Sequence, residues 1–176
     1  MQKKLLHTLL ALVTSISIQS CCKINKGGIS VPIVILPHGE KFPIPSQATA
    51  GSAGFDLMAA VDHPITIKPG EVVFIPAGFC MQLPRGYFAY ITSRSGIAKK
   101  FKVATFIPSI IDADYTGEIS TGLYNQGTED YIVKPGARIS QMVILRFFNV
   151  DWQPTHSLLP TDRGEGGFGS TGLNPR

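Results

Sequence analysis

The residues with the clearest chemical potential in this 176-residue chain are two carboxylates beyond its midpoint. Asp112 and Asp114 are separated by one residue, so in a strand both side chains would project to the same face. Two such carboxylates repel each other unless a cation, an arginine or a substrate water lies between them. Because hydrolysis needs a carboxylate that holds and polarises a water, the pair predicts a hydrolytic site. The alternative is an exposed strand end.

Two earlier segments contain groups suited to phosphate chemistry. Arg94, Ser95 and Gly96 offer a guanidinium, a hydroxyl and an unhindered backbone N–H at adjacent positions, which suit phosphate oxygens. Asp56 follows a run of small residues and lies in an otherwise apolar strand, which indicates a carboxylate placed for a function. The alternative for Asp56 is a capping residue in a turn.

Two segments nearer the C-terminus complete the set. Arg138, Ser140 and Gln141 enter a long apolar strand, so at least one of them is expected to be buried and paired. Residues 163–172 contain five glycines, which favour a flexible arm whose N–H groups wrap phosphate, with Phe168 as a stacking plate. The alternative is a disordered tail.

These segments must be positioned by short strands. From Ile29 onward, apolar bursts alternate with turns that contain Pro and Gly. Strands of about five residues at this spacing predict an all-β protein, a β-sandwich or jelly roll. The best helical candidate is a single turn from Gly96 to Lys100. The expected strands are 31–36, 64–67, 71–75, 79–83, 87–92, 118–124, 130–133 and 139–148.

Charge and cysteine content exclude two classes of function. The formal net charge of +4 resides in residues 1–28, because the remainder has 12 basic and 12 acidic residues. A balanced main domain gives no support to nucleic-acid binding, and no stable nucleic-acid partner is expected. The three cysteines (Cys21, Cys22 and Cys80) and the scattered histidines lack the spacing of a zinc site.

Together the five segments resemble, in order, the five motifs of the trimeric dUTPase family, and they cover the chain from about Ile33 to Gly172. The resemblance implies Mg²⁺-dependent hydrolysis of dUTP to dUMP and pyrophosphate, which keeps uracil out of DNA and supplies dUMP for dTMP synthesis. It also implies a jelly-roll homotrimer with swapped glycine-rich C-terminal arms and three active sites, each assembled from all three chains. Residues 29–160 would then form the β-domain and residues 161–176 the arm.

The resemblance also assigns roles to individual residues. Asp112 would hold the water that attacks the α-phosphorus, and Tyr115 would pack on the deoxyribose and leave no room for a 2′-hydroxyl. Asp56 would act through Mg²⁺-bound water or by pairing with Arg138, and Mg²⁺ would be held mainly by phosphates and water. The remaining substrate contacts are implied for phosphate-binding, base-reading and arm residues: Arg94, Ser95, Gly96, Ile107, Ile110, Gln141, Arg163, Phe168, Gly169, Ser170 and Thr171.

One stretch departs from the family pattern. Between Lys99 and Asp112 the family builds a hairpin that reads uracil largely through backbone groups and usually contains Gly and often Asn. Residues 101–110 contain neither, and Pro108 removes an N–H donor. The departure bears on base recognition and on the strictness of uracil selection. Ser140, where Ala is usual, is a smaller change.

Two other functions are compatible with the same fold. A dCTP deaminase would act on the exocyclic amine of cytosine, but that family lacks the Asp112–Tyr115 water site combined with this arm. A regulatory module that binds nucleotide without turnover would follow if the altered hairpin had abolished catalysis, although perturbed recognition residues need not abolish chemistry. Ammonia release, or binding without pyrophosphate release, would distinguish these functions.

Residues 1–28 are unlike the rest of the chain. Lys3 and Lys4 precede an apolar run that ends at Ile18, a pattern typical of a secretory signal. The residues before Cys21 also resemble a lipoprotein cleavage box, in which Cys21 would be acylated and anchor the protein to a membrane. The alternative is a start codon assigned too far upstream. A cytoplasmic location is expected, because the implied substrate is made and used where DNA is replicated.

Overall fold

The computed structural model describes residues 28–167. The signal-like segment up to residue 27, with Cys21, therefore lies outside the described residues. So do the arm residues Phe168, Gly169, Ser170 and Thr171. Within the described part of the chain, no helix has the length and apolar character needed to cross a lipid bilayer.

The described chain is built from ten strands and one short helix, which confirms the all-β prediction. A 3-10 turn at Pro37–Gly39 follows the first strand. The strands are β1 (Ile33–Ile35), β2 (Phe55–Met58), β3 (Ile65–Ile67), β4 (Val72–Met81), β5 (Tyr87–Ser93), β6 (Val103–Thr105), β7 (Ser109–Ile111), β8 (Glu118–Asn125), β9 (Tyr131–Val133) and β10 (Arg138–Arg146), and the helix is α1 (Ser95–Phe101).

The strands form two four-stranded antiparallel sheets in a jelly-roll-like arrangement. One sheet has the order β1-β4-β8-β6 and the other β2-β10-β5-β7, while β3 and β9 form a separate two-stranded ladder. Apolar side chains from these sheets pack in two buried clusters. The fully buried members include Leu57, Ile91 and Ile119 in one cluster and Ile67, Ile75, Leu123, Val133 and Ile139 in the other.

The predicted turn at residues 76–78 is wrong, because the strands expected at 71–75 and 79–83 are parts of one strand, β4. Pro76 pairs with Ser120 of β8, and the next pair is Cys80 with Glu118. Between these two pairs the chain advances by four residues in β4 but by only two residues in β8, so β4 contains a β-bulge. Gly78 takes up this bulge with a φ of 76°, a conformation that glycine adopts without steric cost.

The predicted single helical turn is a longer helix, α1. The helix ends where Lys102 takes a left-handed φ of 55° and donates its N–H to the Ala98 carbonyl. Lys99 and Lys100 lie in the last turn, where cations interact favourably with the helix dipole. The helix follows β5 directly and leads into β6 of the other sheet, so it joins the two sheets at one end.

Three polar side chains of the described residues are buried in this core. Asn125 donates Nδ2 to the Ile67 and Glu129 carbonyls at 2.8 Å and accepts the Gly127 N–H at 2.9 Å, which ties β8 to the β3–β9 ladder. Thr121 Oγ1 and Ser140 Oγ lie 2.7 Å apart between β8 and β10, and both residues are buried. Ser140 thus confirms that at least one polar residue of its segment is buried and paired.

The hydroxyl pair between Thr121 and Ser140 should be sensitive to removal of one partner. Ser140→Ala should lower the free energy of unfolding by about 1–3 kcal/mol, because a buried hydroxyl loses its partner. Thr121→Val combined with Ser140→Ala should recover most of that loss, since both polar groups are then replaced. Urea unfolding at one protein concentration measures both values. Additive losses in the double variant would contradict the pairing.

Candidate active site

A carboxylate between two arginines lies at one end of the β2-β10-β5 sheet. Asp56 Oδ1 is 2.8 Å from Arg94 Nε, and Asp56 Oδ2 is 3.1 Å from Arg138 Nη1. The central strand β10 brings them together, because its residues Ser140 and Gln141 pair with β2 on one side and β5 on the other. Both Asp56 oxygens are therefore in ion pairs, Oδ2 also accepts a charge-assisted hydrogen bond from Arg138 Nη1, and one unit of positive charge remains in the cluster.

The cluster shows one of the two interactions expected for Asp56 from the sequence. Asp56 pairs with Arg138 as one of them predicted, and it also pairs with Arg94, which sequence reasoning had assigned only to phosphate. Arg94 Nη1 also donates to the Arg138 carbonyl at 3.1 Å. The Arg94 side chain is therefore held in one orientation at the start of α1.

Ser95 and Gly96 open α1 immediately after Arg94. Both residues are exposed, and the first N–H groups of a helix have no partner within the helix. Gln141 Nε2 donates to the Ser93 carbonyl at 3.0 Å, and Ser93 Oγ accepts the Thr105 N–H at 2.8 Å. These bonds fix the end of β5 against β10 and β6, so the segment expected to bind phosphate is attached to both sheets.

Asp112 and Asp114 lie in a turn, so the prediction that they share one face of a strand is wrong. Strand β7 ends at Ile111, and the Tyr115 N–H then donates to the Asp112 carbonyl at 3.2 Å. The chain must reverse here because β7 pairs with β5 while the next strand, β8, belongs to the other sheet. Both carboxylates and the Tyr115 ring are exposed.

A single chain does not bring this turn to the arginine cluster. Ile111 pairs with Ala89, so Asp112 lies level with Phe88 of β5. Arg94 follows six residues farther along, and at about 3.3 Å per residue the separation is about 20 Å. The two groups of predicted site residues are therefore at different places on one chain.

The expected hairpin at residues 101–110 is not a paired hairpin within the described chain. Strand β6 pairs with β8, whereas β7 pairs with β5 in the other sheet. Pro108 between them has no N–H to donate, and the Phe106 N–H is bound to the Gly122 carbonyl at 2.8 Å. Ile107 is 58% exposed and Ile110 63% exposed, so this segment presents apolar side chains to solvent.

The described part of the arm makes contacts within itself. Arg163 Nε donates to the Gly166 carbonyl at 2.8 Å, and residues 161–165 are exposed. The segment that leads to the arm carries large exposed side chains, with Phe148 91% and Trp152 84% exposed. Among the described residues, the ion pairs of Asp56 are with Arg94 and Arg138 and do not include Arg163.

Sequence reasoning did not single out Glu118 or His38. Glu118 begins β8, and its Oε1 is 2.6 Å from His38 Nε2 on the 3-10 turn and 3.1 Å from the Gly78 nitrogen. A charged residue at the start of an apolar strand was the available signal. Among residues 28–167, no group of three or more His, Cys, Asp or Glu side chains is arranged as a metal site.

The charge of Arg94 acts on the pKa of Tyr131. Partial burial raises the pKa of Tyr131, and the positive charge of Arg94 partly opposes that rise. A cavity of about 780 Å³ lies elsewhere, lined largely by apolar residues such as Ile33, Phe55 and Met142. Its lining offers no acid or base suited to hydrolysis, so the arginine cluster and the Asp112 turn are the better candidates.

The two arginines should differ in their coupling to Asp56. A double-mutant cycle of Arg94→Ala and Asp56→Ala should give about 1.5–3 kcal/mol in unfolding free energy, because the shorter contact involves the more enclosed arginine. The same cycle with Arg138→Ala should give less than about 1 kcal/mol, since half-exposed pairs are screened by solvent. Urea unfolding at constant protein concentration measures both. Equal coupling energies would contradict the assigned geometry, and the exposed Lys41–Asp62 pair is the control.

Comparisons with known proteins identify the family of the chain. A model of the dUTPase family matches residues 40–172. The deoxyuridine 5'-triphosphate nucleotidohydrolase of Anaplasma marginale (strain St. Maries) is 46% identical over 145 residues, which cover 82% of this chain and 99% of the relative. The protein of the same name from Rickettsia felis is 47% identical over 131 residues, which cover 74% of this chain and 88% of the relative.

Solved structures show the same fold at lower sequence identity. The dUTPase of Staphylococcus bacteriophage 80alpha with dUPNHPP has a TM-score of 0.72 and 23% identity, covering 83% of this chain and 100% of that chain. A mutant dUTPase of S. aureus phage phi11, studied for the coordination of a structural Mg(II) ion, has a TM-score of 0.67 and 19% identity, covering 73% of this chain and 98% of that chain. On the family match over most of its length, this chain belongs to the dUTPase family.

Proposed function

We propose that this chain is a dUTP diphosphatase, which hydrolyses dUTP to dUMP and pyrophosphate and so keeps uracil out of DNA and supplies dUMP for dTMP synthesis. The observation that carries the proposal is the Asp56–Arg94–Arg138 cluster beside the open start of α1. A fixed guanidinium next to free backbone N–H groups fits a polyphosphate.

Phosphate binding follows from the charge of this cluster. Arg94 is oriented by Asp56 before any ligand arrives, so less side-chain entropy is lost on binding. Three adjacent residues can then donate hydrogen bonds to phosphate oxygens. The donors are the remaining guanidinium N–H groups of Arg94, the Ser95 hydroxyl and the Gly96 backbone N–H. Gln141, whose Nε2 is already bound to Ser93, would contribute near the α-phosphate.

Mg²⁺ fits this site as an ion brought by the triphosphate. Both Asp56 oxygens are taken by arginines, so Asp56 is poorly placed to be a direct ligand. Mg²⁺ commonly keeps several waters and binds substrate phosphates, and bound in this way it would neutralise phosphate charge. Asp56 would contribute by holding Arg94 and Arg138 against the same phosphates.

Hydrolysis would use the exposed Asp112 carboxylate. Asp112 accepts a hydrogen bond from a water and takes its proton as the water oxygen bonds to the α-phosphorus. The bond from that phosphorus to the oxygen bridging to the β-phosphate breaks, and pyrophosphate leaves. The Tyr115 ring would pack on the deoxyribose, while Ile107 and Ile110 would face the base. Arg163, Phe168, Gly169, Ser170 and Thr171 would close the arm over uracil and the γ-phosphate and exclude water.

We propose a homotrimer because one chain separates the two halves of the site. Asp112 and Arg94 of the same chain are about 20 Å apart along β5, whereas an attacked α-phosphorus must be close to both groups. A second copy that supplies Asp112 next to the first copy's arginines resolves this separation. The exposed apolar residues before the arm support the same assembly, because they would be covered by another chain.

The deciding experiment is pyrophosphate release by a chain that starts at Gly28, with Mg²⁺ and dUTP, dCTP, dTTP or UTP. Turnover of dUTP alone would support the proposal and show that residues 1–27 are dispensable for activity. Ammonia release from dCTP would favour a deaminase. Nucleotide binding without pyrophosphate release would favour a regulatory module.

Asp112→Asn should retain nucleotide binding and lose nearly all turnover, by at least about 100-fold, because general-base assistance is removed while the shape is kept. Steady-state turnover and equilibrium binding of dUMP measure the two effects. Asp114→Asn, in the same exposed turn, is the matched control and should keep most of the turnover. Equal losses in both variants would mean that the pair, and not Asp112 alone, holds the water.

Truncation before Arg163 should abolish dUTP hydrolysis while the β-domain, residues 29–160, stays folded. Mixing truncated chains with full-length Asp112→Asn chains and letting them reassemble should restore part of the turnover, because some sites would then combine an intact Asp112 with an intact arm. Turnover after mixing, compared with each variant alone, is the measurement. A mixture as inactive as its components would contradict sites shared between chains.

A further inference from the structure

The Glu118 side chain at the start of β8 has two partners from other elements. Its Oε1 lies 3.1 Å from the Gly78 nitrogen in the β4 bulge and 2.6 Å from His38 Nε2. Both side chains of the pair are about two-thirds buried, with 34% of His38 and 32% of Glu118 exposed. The mechanism proposed above does not use either residue.

The β4 bulge explains why a carboxylate is placed there. The bulge removes the Gly78 N–H from the ladder with β8, and the Glu118 carboxylate accepts that N–H in a charge-assisted bond. The Gly78 carbonyl in turn accepts the Leu36 N–H at 2.9 Å. A Cβ added to Gly39 would lie 2.1 Å from the Gly78 carbonyl oxygen, so the 3-10 turn that carries His38 is pressed against β4.

The Tyr115 side chain is hydrogen-bonded to the backbone of Glu118. Tyr115 Oη donates to the backbone carbonyl of Glu118 at 3.0 Å. A Cβ added to Gly117 would lie 2.5 Å from Tyr115 Oη and 2.6 Å from its Cζ, so the ring occupies space that only a glycine leaves open. No positive φ is involved at Gly117, and its lack of a side chain is what the ring requires.

We propose that His38, Gly78, Gly117 and Glu118 form a brace that sets the position of the Tyr115 ring and thereby the exclusion of nucleotides with a 2′-hydroxyl. The inference rests on the proposed role of Tyr115 in packing against deoxyribose. His38 and Glu118 are positioning residues, because they act on the ring through the backbone of Glu118. Gly117 determines specificity by leaving room for the ring.

Gly117→Ala is the sharpest test, because the atoms that must move are the far end of the Tyr115 side chain. The dUTP-to-UTP ratio of kcat/KM should fall at least about tenfold as the displaced ring admits ribose. Gly51→Ala, where an added Cβ meets no atom within 4 Å, is the matched control and should keep the wild-type ratio.

The brace itself is tested by Glu118→Ala and His38→Ala, with Glu118→Gln and His38→Gln as conservative variants that keep an acceptor or a donor. The ratio should fall in the alanine variants and return towards wild type in the glutamine variants. Asp62→Asn, which weakens the separate Lys41 pair, is the control and should leave the ratio unchanged. A purely structural pair would lower thermal stability in all four variants without changing the ratio.

Two readouts do not require turnover. In the first, all five tyrosines are replaced by fluorotyrosine, and the fluorine NMR resonance of Tyr115 is assigned from its loss in Tyr115→Phe. Without nucleotide, this resonance should be shifted in Gly117→Ala and Glu118→Ala. The ratio of dUMP to UMP affinity should fall in the same variants. An unmoved resonance in folded protein, or a moved resonance with an unchanged ratio, overturns the brace. Absent dUTP turnover in the wild type would instead overturn the proposed function.

Discussion

The Asp56 carboxylate between two guanidinium groups is the interaction on which the rest of the site depends. Without it, two arginines at the end of one sheet would repel each other and their side chains would extend into solvent. With it, Arg94 is fixed relative to α1, and β10 is joined to β2 by side chains at the point where the backbone register shifts. The electrostatic balance leaves one positive charge, enough to attract phosphate without a strongly basic surface.

The fold places this cluster and the Asp112 turn at opposite ends of β5. That placement follows from antiparallel pairing, since β7 runs back along β5 and carries Asp112 away from Arg94. Rigid attachment of each half to its own sheet fixes local geometry well. Under the proposed mechanism, which needs both halves at one phosphorus atom, a complete site would require the trimer proposed above.

Local pattern was sufficient to predict most strands, because alternation and Pro-Gly turns are properties of neighbouring residues. Local pattern failed at residues 76–78, because a Pro-Ala-Gly sequence can form either a turn or a β-bulge. Pairing with β8 decides between the two, and that pairing is not visible in the local sequence. Local pattern also failed for Asp112 and Asp114, whose spacing suits a strand but whose neighbours change sheets. Arg94 pairs with Asp56 across a sequence separation of 38 positions, and Glu118 pairs with His38 across a separation of 80 positions. No local sequence pattern encodes contacts at such separations.

The exposed segment between β10 and the arm has a consequence for how the protein is made. Phe148, Trp152, Leu158 and Leu159 present apolar surface that a lone folded chain cannot cover. If the proposed trimer covers this surface, each newly synthesised chain would expose it until assembly, and exposed apolar surface favours aggregation. Assembly of such a trimer would depend on encounters between copies, so a higher expression level would shorten the wait for a correct partner and also raise the rate of incorrect association.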